Sequence, residues 1–332
     1  FVLQSASAAL TPTFQATIPD ILPDEKEYTR ALSLSRLAYD LESVVSPMLA
    51  AALLAFISFH NLFAGTVIGF LISAALVMSV VPPSPKPSKP RGIYDRTTRG
   101  MRIYLATPRQ RGLLSINLAV ASAGALVIVN TVVYVQAAFG LDNQATALAL
   151  AAFGGGSMVA ALALPKLLET IADRTVMLAG AALLAAGTVT AASLSGYGWL
   201  LPLWFVLGFG YSTAQTPSGR LLRRSANPED RPALFAAQFA LSHACWLIAY
   251  PLAGWAGAAV GLPVTAIILA ALAAVAIAIA LVIWPADDSE VVEHSHADLP
   301  PDHPHLVETG HRYRHAHAYV IDDMHAASPR ER

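Results

Sequence analysis

Arg36, Asp40, Ser43 and Pro47 follow one another at i, i+4, i+7 and i+11 inside an apolar stretch, the spacing of a single helix face. Ser35, Tyr39, Glu42 and Ser46 form the adjacent stripe. Ionisable groups in so apolar a segment are costly, and they face a water-filled cavity or a partner. Two chemistries suit the pattern. Asp40 or Glu42 can take up a proton or contact a cationic substrate; alternatively Arg36 and Asp40, four apart, simply pair near one end of the helix. Further along, Gln238, Ser242, Cys245 and Trp246 share a helix face, with His243 beside them. Imidazole titrates near neutrality and suits proton coupling, the bland alternative being a packing histidine with one hydrogen bond. Asn117, Asn130, Gln136, Tyr211 and Gln215 can line the same cavity or make interhelical hydrogen bonds.

A second cluster of chemistry lies near the end of the chain. Eight of the 10 histidines fall there: His294, His296, His303, His305, His311, His315, His317 and His325. Three His-x-His pairs (294/296, 303/305, 315/317) alternate with Asp298, Asp302, Asp322 and Asp323. The paired histidines are candidate ligands for a borderline divalent metal such as Ni(II), Zn(II) or Co(II); a solvated tail enriched in histidine by accident is the alternative. No other cofactor is expected. The single cysteine, Cys245, makes neither a disulfide framework nor a cysteine metal site. Gly154-Gly155-Gly156 and Gly208/Gly210 follow no strand, so they read as close helix contacts and not as a nucleotide loop.

The elements that position these residues are set by composition. Of 332 residues, 55% are hydrophobic and only 13% charged, and the mean hydropathy is +0.53. That charged fraction is about half of what a soluble domain carries. Apolar stretches recur near the ~20 residues that a helix needs to cross a bilayer core, and a β-barrel would alternate instead. We read nine crossings, at 1–16, 33–57, 62–82, 113–138, 144–165, 175–195, 199–218, 235–256 and 262–284. One set of connections is short and nearly uncharged; the other carries all 21 Lys and Arg residues. The positive-inside rule makes the second side cytoplasmic. The residues divide into 1–82, a first bundle; 83–111, a basic linker with a surface helix near 96–106 lying against headgroups; 112–284, a second bundle; and 285–332, a cytoplasmic His-rich tail expected to be disordered.

An internal repeat relates the two bundles. At an offset of 205, Thr11-Pro12, Pro23 and Ala31 match Thr216-Pro217, Pro228 and Ala236, and Asp24-Glu25 falls on Glu229-Asp230. The copies lie six helices apart, so a twelve-helix protein is expected, with three helices and part of a fourth preceding Phe1. Two six-helix halves, a basic linker and cytoplasmic termini resemble the major facilitator superfamily. Ile18-Pro19-Asp20-Ile21-Leu22-Pro23-Asp24-Glu25, then Arg30-Ala31-Leu32-Ser33 and Ser46-Pro47, is similar to its bacterial exporter branch, which includes the enterobactin exporter. Ala172-Asp173-Arg174 resembles a degenerate copy of the family's gating loop, which makes Asp173 and Arg174 gating candidates. The histidine tail resembles those of nickel-resistance exporters.

The resemblance implies an all-α polytopic fold of the bacterial inner membrane and a monomer embedded in lipid with no nucleic-acid partner. It also implies secondary active export of a siderophore-like or drug-like small molecule, driven by protons. Two alternatives remain open: a divalent metal exporter, and a non-transporting membrane sensor of metal. An enzyme is not expected, because His60 and His243 are the only histidines in the membrane region and lie on different helices.

Overall fold

A computed structural model describes residues 2–54, 56–81, 92–296, 300, 305–306 and 314–325. Its helices are α1 (Val2–Ile21), α2 (Glu25–Leu54), α3 (Phe59–Ser79), α4 (Ile93–Ala106), α5 (Pro108–Val132), α6 (Asn143–Leu167), α7 (Asp173–Thr190), α8 (Tyr197–Gln215), α9 (Ser218–Arg224), α10 (Arg231–Ala259) and α11 (Leu262–Ile283). A π-helical segment, Val133–Ala138, prolongs α5, and a 3-10 turn, Ala191–Ser193, prolongs α7.

Local chemistry sets the boundaries. The Asp24 carboxylate accepts the backbone N–H groups of Lys26 and Glu27 at 2.9 and 3.0 Å and so starts α2. Asp142 caps α6 through the N–H of Ala145 at 2.9 Å. The tight turns after α5 and α10 hold Gly140 and Gly261 at φ of 69° and 81°, a region that side chains disfavour.

Each expected crossing falls on one of these helices. Six are long and apolar enough to span a membrane by themselves: α3, α5 with its π segment, α6, α7 with its 3-10 turn, α10 and α11. The shortfall in α1, α2 and α8 reflects their content: Thr, Gln and Pro in α1, charged residues in α2, and Tyr, Trp and Gly in α8.

The second bundle is built around α5, whose residues from Leu113 to Val127 are largely sealed from solvent by α7, α8, α10 and α11. Small residues permit the closest approaches. A Cβ on Gly156 of α6 would land on the Phe205 carbonyl of α8, and one on Gly208 of α8 would land on the Phe153 carbonyl of α6. Of the first group, α1 packs on α10 and α2 on α6, while α3 touches α2 and buries none of its residues.

Two expectations outside the bundles need correction. The helix expected near 96–106 exists as α4, but one face does not lie on headgroups. Ile103 and Tyr104 are buried, Gly100 abuts the Ala233 carbonyl of α10, and Arg99 turns inward to Asp230. The tail is also not without structure. Strands β1 (Val291–Ser295) and β2 (Arg314–Ala318) pair antiparallel, with His294 opposite His315. The averaged polarity of the tail hid the apolar residues that anchor it: Ile321 joins a buried cluster with Ile103, Tyr104, Leu222 and Leu234.

Candidate functional site

The ion pair on α2 lies where the two groups of helices meet. Arg36 Nη2 stands 2.9 Å from Asp40 Oδ1, and Arg36 Nε donates to Asp40 Oδ2 at 3.2 Å. Ser157, near the middle of α6, donates its hydroxyl to Asp40 Oδ2 at 2.5 Å and accepts from Arg36 Nε at 3.3 Å. Above the guanidinium lies the ring of Tyr211 from α8, at 4.5 Å from its centroid; Tyr39 is at 5.4 Å. Asp40 is 3% exposed. The pair is therefore not a superficial i, i+4 contact. It is a buried charged group held by helices on both sides. An aromatic row runs on from it: Phe153 and Trp246 flank Tyr211 at 5.5 and 6.4 Å, and Tyr250 follows Trp246 at 5.0 Å.

The basic connections gather at one end of the molecule and form a charged lock. Arg220 of α9 is its centre: it reaches Glu25 of α2 at 2.5 Å and Asp173 of α7 at 2.9 Å, and donates to Thr29 Oγ1 at 2.6 Å. Arg224 joins Asp173 at 2.7 Å, Arg223 donates to the Pro23 carbonyl, and Arg231 pairs with Asp20 at 2.9 Å. These contacts tie α1 and α2 to the second bundle. At the opposite end the uncharged connections meet, with Tyr197 donating to the Ala145 carbonyl at 2.8 Å and Tyr134 to that of Ala191 at 3.0 Å.

In the tail, ligand nitrogens of His294, His296, His305, His317 and His325 all lie within 4.8 Å of one another. His315 joins through a 3.1 Å approach of its Nε2 to that of His305. Burial, and after it the crowding of neighbouring rings, holds His296 down at about 4; burial lowers His294 and His305 in the same direction. Burial would raise Asp322, but hydrogen bonds from the His325 ring and from the N–H groups of His325 and Met324 outweigh it and bring the carboxyl to about 2. His303 lies outside the described residues.

Comparison of the sequence with known families decides what this arrangement belongs to. The Major Facilitator Superfamily profile matches residues 1–133 and 112–316. The chain belongs to the Major Facilitator Superfamily. It is a multi-pass membrane protein of a superfamily made up of secondary transporters, not enzymes. No curated protein matches it significantly.

Within the superfamily architecture the remaining candidates separate by position. Glu42 is exposed on the neighbouring face of α2. His243 is exposed, on the α10 face that carries Trp246 and Tyr250, and its Nδ1 lies 2.7 Å from the Phe239 carbonyl. Four others are spent within the second bundle or at its flanks. Gln238 accepts from Tyr104 of α4 at 2.5 Å, Asn130 donates to the Ala253 carbonyl of α10 at 3.3 Å, Gln215 donates to Asn117 of α5 at 3.0 Å, and Gln136 donates to Asn143 at 2.8 Å in the uncharged end. Of the two gating candidates, Asp173 is in the lock. Arg174 instead donates to the Trp284 carbonyl at 3.1 Å and caps α11, where a cation meets the negative helix end.

Sequence reasoning missed Ser157, Arg220 and His325. Ser157 is one small residue after three glycines, Arg220 is one of four arginines in a loop, and His325 belongs to no His-x-His pair. Only for Ser157 was there a hint, as a hydroxyl beside the closest helix crossing.

Proposed function

We propose that this superfamily member is a proton-driven exporter of a small, partly aromatic organic molecule, working by alternating access between its two halves in the bacterial inner membrane. The observation that carries the reading is the buried Arg36–Asp40 pair, which α2 presents to Ser157 of α6 and Tyr211 of α8. Protonating Asp40 discharges the carboxylate that a cationic cargo would contact, so a proton and a cationic cargo compete for the same group. The aromatic row offers stacking area to a flat, apolar cargo beside that charge. Export, and the siderophore-like or drug-like class, follow from the resemblance of the Ile18–Glu25 stretch to the exporter branch. The basic end with its tail faces the cytoplasm by the positive-inside rule.

The test uses proteoliposomes with an imposed pH gradient and a fluorescent aromatic cation as cargo. Asp40→Asn abolishes gradient-driven accumulation yet retains exchange of labelled for unlabelled cargo, because exchange needs no proton. If Asp40→Asn and Glu42→Gln both accumulate cargo at the native rate, the coupling role is wrong. The histidine cluster favours a second reading, transport of a divalent metal; metal flux under the same gradient, with no flux of the organic cation, would select it.

A further inference from the structure

The histidines of the tail are arranged, not merely numerous. On β1, His294 and, one step past its end, His296 fall on one face; on β2, His315 and His317 fall on one face, and His294 lies opposite His315. His305 comes from the segment between the strands, and His325 from a turn in which Asp322 accepts the N–H groups of Met324 and His325 at 2.9 Å each. The Nε2 atoms of His294, His296 and His325 stand 3.0, 3.2 and 3.2 Å apart, and His317 Nε2 stands 3.3 Å from that of His305.

The other ring nitrogens explain what those short separations are for. His294 Nδ1 lies 3.0 Å from the Val292 carbonyl, His317 Nδ1 2.8 Å from the Ala318 carbonyl, and His325 Nδ1 2.9 Å from the Asp322 carboxylate. These oxygens only accept, so each Nδ1 carries a proton, and in the neutral ring each Nε2 turns a lone pair inward. Lone pairs of His294 and His325 then face one another at 3.2 Å, an arrangement that repels unless a cation lies between them. Oxygen acceptors that fix the outer nitrogen are what metal-ligating histidines carry. The spacing fits as well. Metal–nitrogen bonds of about 2.0–2.1 Å put neighbouring ligands about 3.3 Å apart in a tetrahedron and about 2.9 Å apart in an octahedron, the range in which these nitrogens stand.

The site is also fastened to the carrier. Next to Asp322, Asp323 takes Arg99 Nη1 at 2.6 Å, and the same guanidinium grips Asp230, at the head of α10, at 2.5 and 2.7 Å. On the β1 side, Asp288 meets Arg109 at 3.1 Å and Glu290 meets Arg224 at 3.2 Å, and Arg224 is a member of the lock at the basic end.

We propose that the tail is a metal-responsive strap: His294, His296, His305, His317 and His325 bind one borderline divalent ion of the Ni(II), Co(II) or Zn(II) class, and binding clamps the strap across α4, α9 and α10 with the basic end closed. The metal site stands on its own geometry; its effect on transport rests on the carrier reading above. Bound metal slows cargo exchange through the basic end.

Three measurements on the full chain in nanodiscs test this. Titration calorimetry with Ni(II), Co(II) and Zn(II) gives one ion per chain. His325→Ala and Asp322→Asn each weaken it by about tenfold or more, and His60→Ala leaves it unchanged. Several weak ions per chain, indifferent to His325→Ala, overturn the site. Hydrogen exchange then reads the strap: metal protects residues 93–106 and 288–295, and Asp323→Asn keeps the stoichiometry while losing the protection of 93–106. Binding without that protection overturns the strap. Finally, metal slows exchange of cargo in the native chain and not in Asp323→Asn; equal slowing in both overturns the coupling. A chain that moves no cargo sinks the carrier reading but leaves the first two measurements able to decide the site and the strap.

Discussion

Arg220 offers the sharpest test of the lock at the basic end. Its guanidinium, 13% exposed, spans three helices, and two of its contacts cross between the halves: Glu25 at 2.5 Å and Thr29 at 2.6 Å. Thr29 is 3% exposed, so its charged hydrogen bond falls in the range of about 1.5–3 kcal/mol. Glu25 is 52% exposed, and solvent reduces that pair to about 0.2–1 kcal/mol. Asp173 keeps Arg224 when Arg220 is removed, so its loss adds little. With about 1.5 kcal/mol for the Thr29 bond and about 0.5 kcal/mol for the Glu25 pair, Arg220→Ala removes about 2 kcal/mol from the closed state, a shift of about 30-fold in the closed-to-open ratio at ~1.4 kcal/mol per tenfold. Ser33 reports the change. It is 5% exposed and lies on the α2 stripe between Thr29 and Arg36. In a Cys245→Ala background, Ser33→Cys reacts with an impermeant thiol reagent only when the basic end opens. Adding Arg220→Ala raises the labelling rate by about 30-fold, and Thr29→Ala raises it by a comparable factor. A rate that Arg220→Ala leaves unchanged or lowers would refute the lock.

Two further perturbations probe packing and buried charge. Gly156→Leu drives a side chain into the Phe205 backbone of α8 and lowers stability by at least the ~1–3 kcal/mol typical of overpacking. Gly65→Leu, with open space around it, leaves the thermal unfolding midpoint in detergent unchanged. Arg99→Ala removes both guanidinium bonds to the buried Asp230 carboxylate and costs about 3–5 kcal/mol, while Arg99→Met combined with Asp230→Leu recovers most of it. Equal midpoints for the single and double variants would show that the pair is not buried in the working protein.

The helices were legible because each depends on its own residues. A run such as Leu262–Ile283 is apolar along its whole length, and the two φ-positive turns carry glycine. The division of connections into basic and uncharged sets is a property of neighbours in the chain, and the structure gathers each set at one end. Tail polarity is a similar sum, yet there it misled, because a few apolar anchors and paired strands outweigh an average.

Partners were not legible in the same way. Asp40 meets Ser157 across 117 positions, Arg220 meets Thr29 across 191, and Arg99 meets Asp323 across 224. Helical periodicity placed Arg36 and Asp40 on one stripe but said nothing of what faced it, and it left both a cavity and an interhelical hydrogen bond open for Asn130, which donates to the Ala253 carbonyl. His325 shows the limit most clearly: its ring is aimed by Asp322 and by the fold of the strap, while the His-x-His spacing marked only the other four members of the cluster. Hydrophobicity and charge act residue by residue, so the chain alone determined which segments form the long helices and which loops are basic. Which side chains share a site depends on how helices cross and how strands register, and that was decided only when the segments packed.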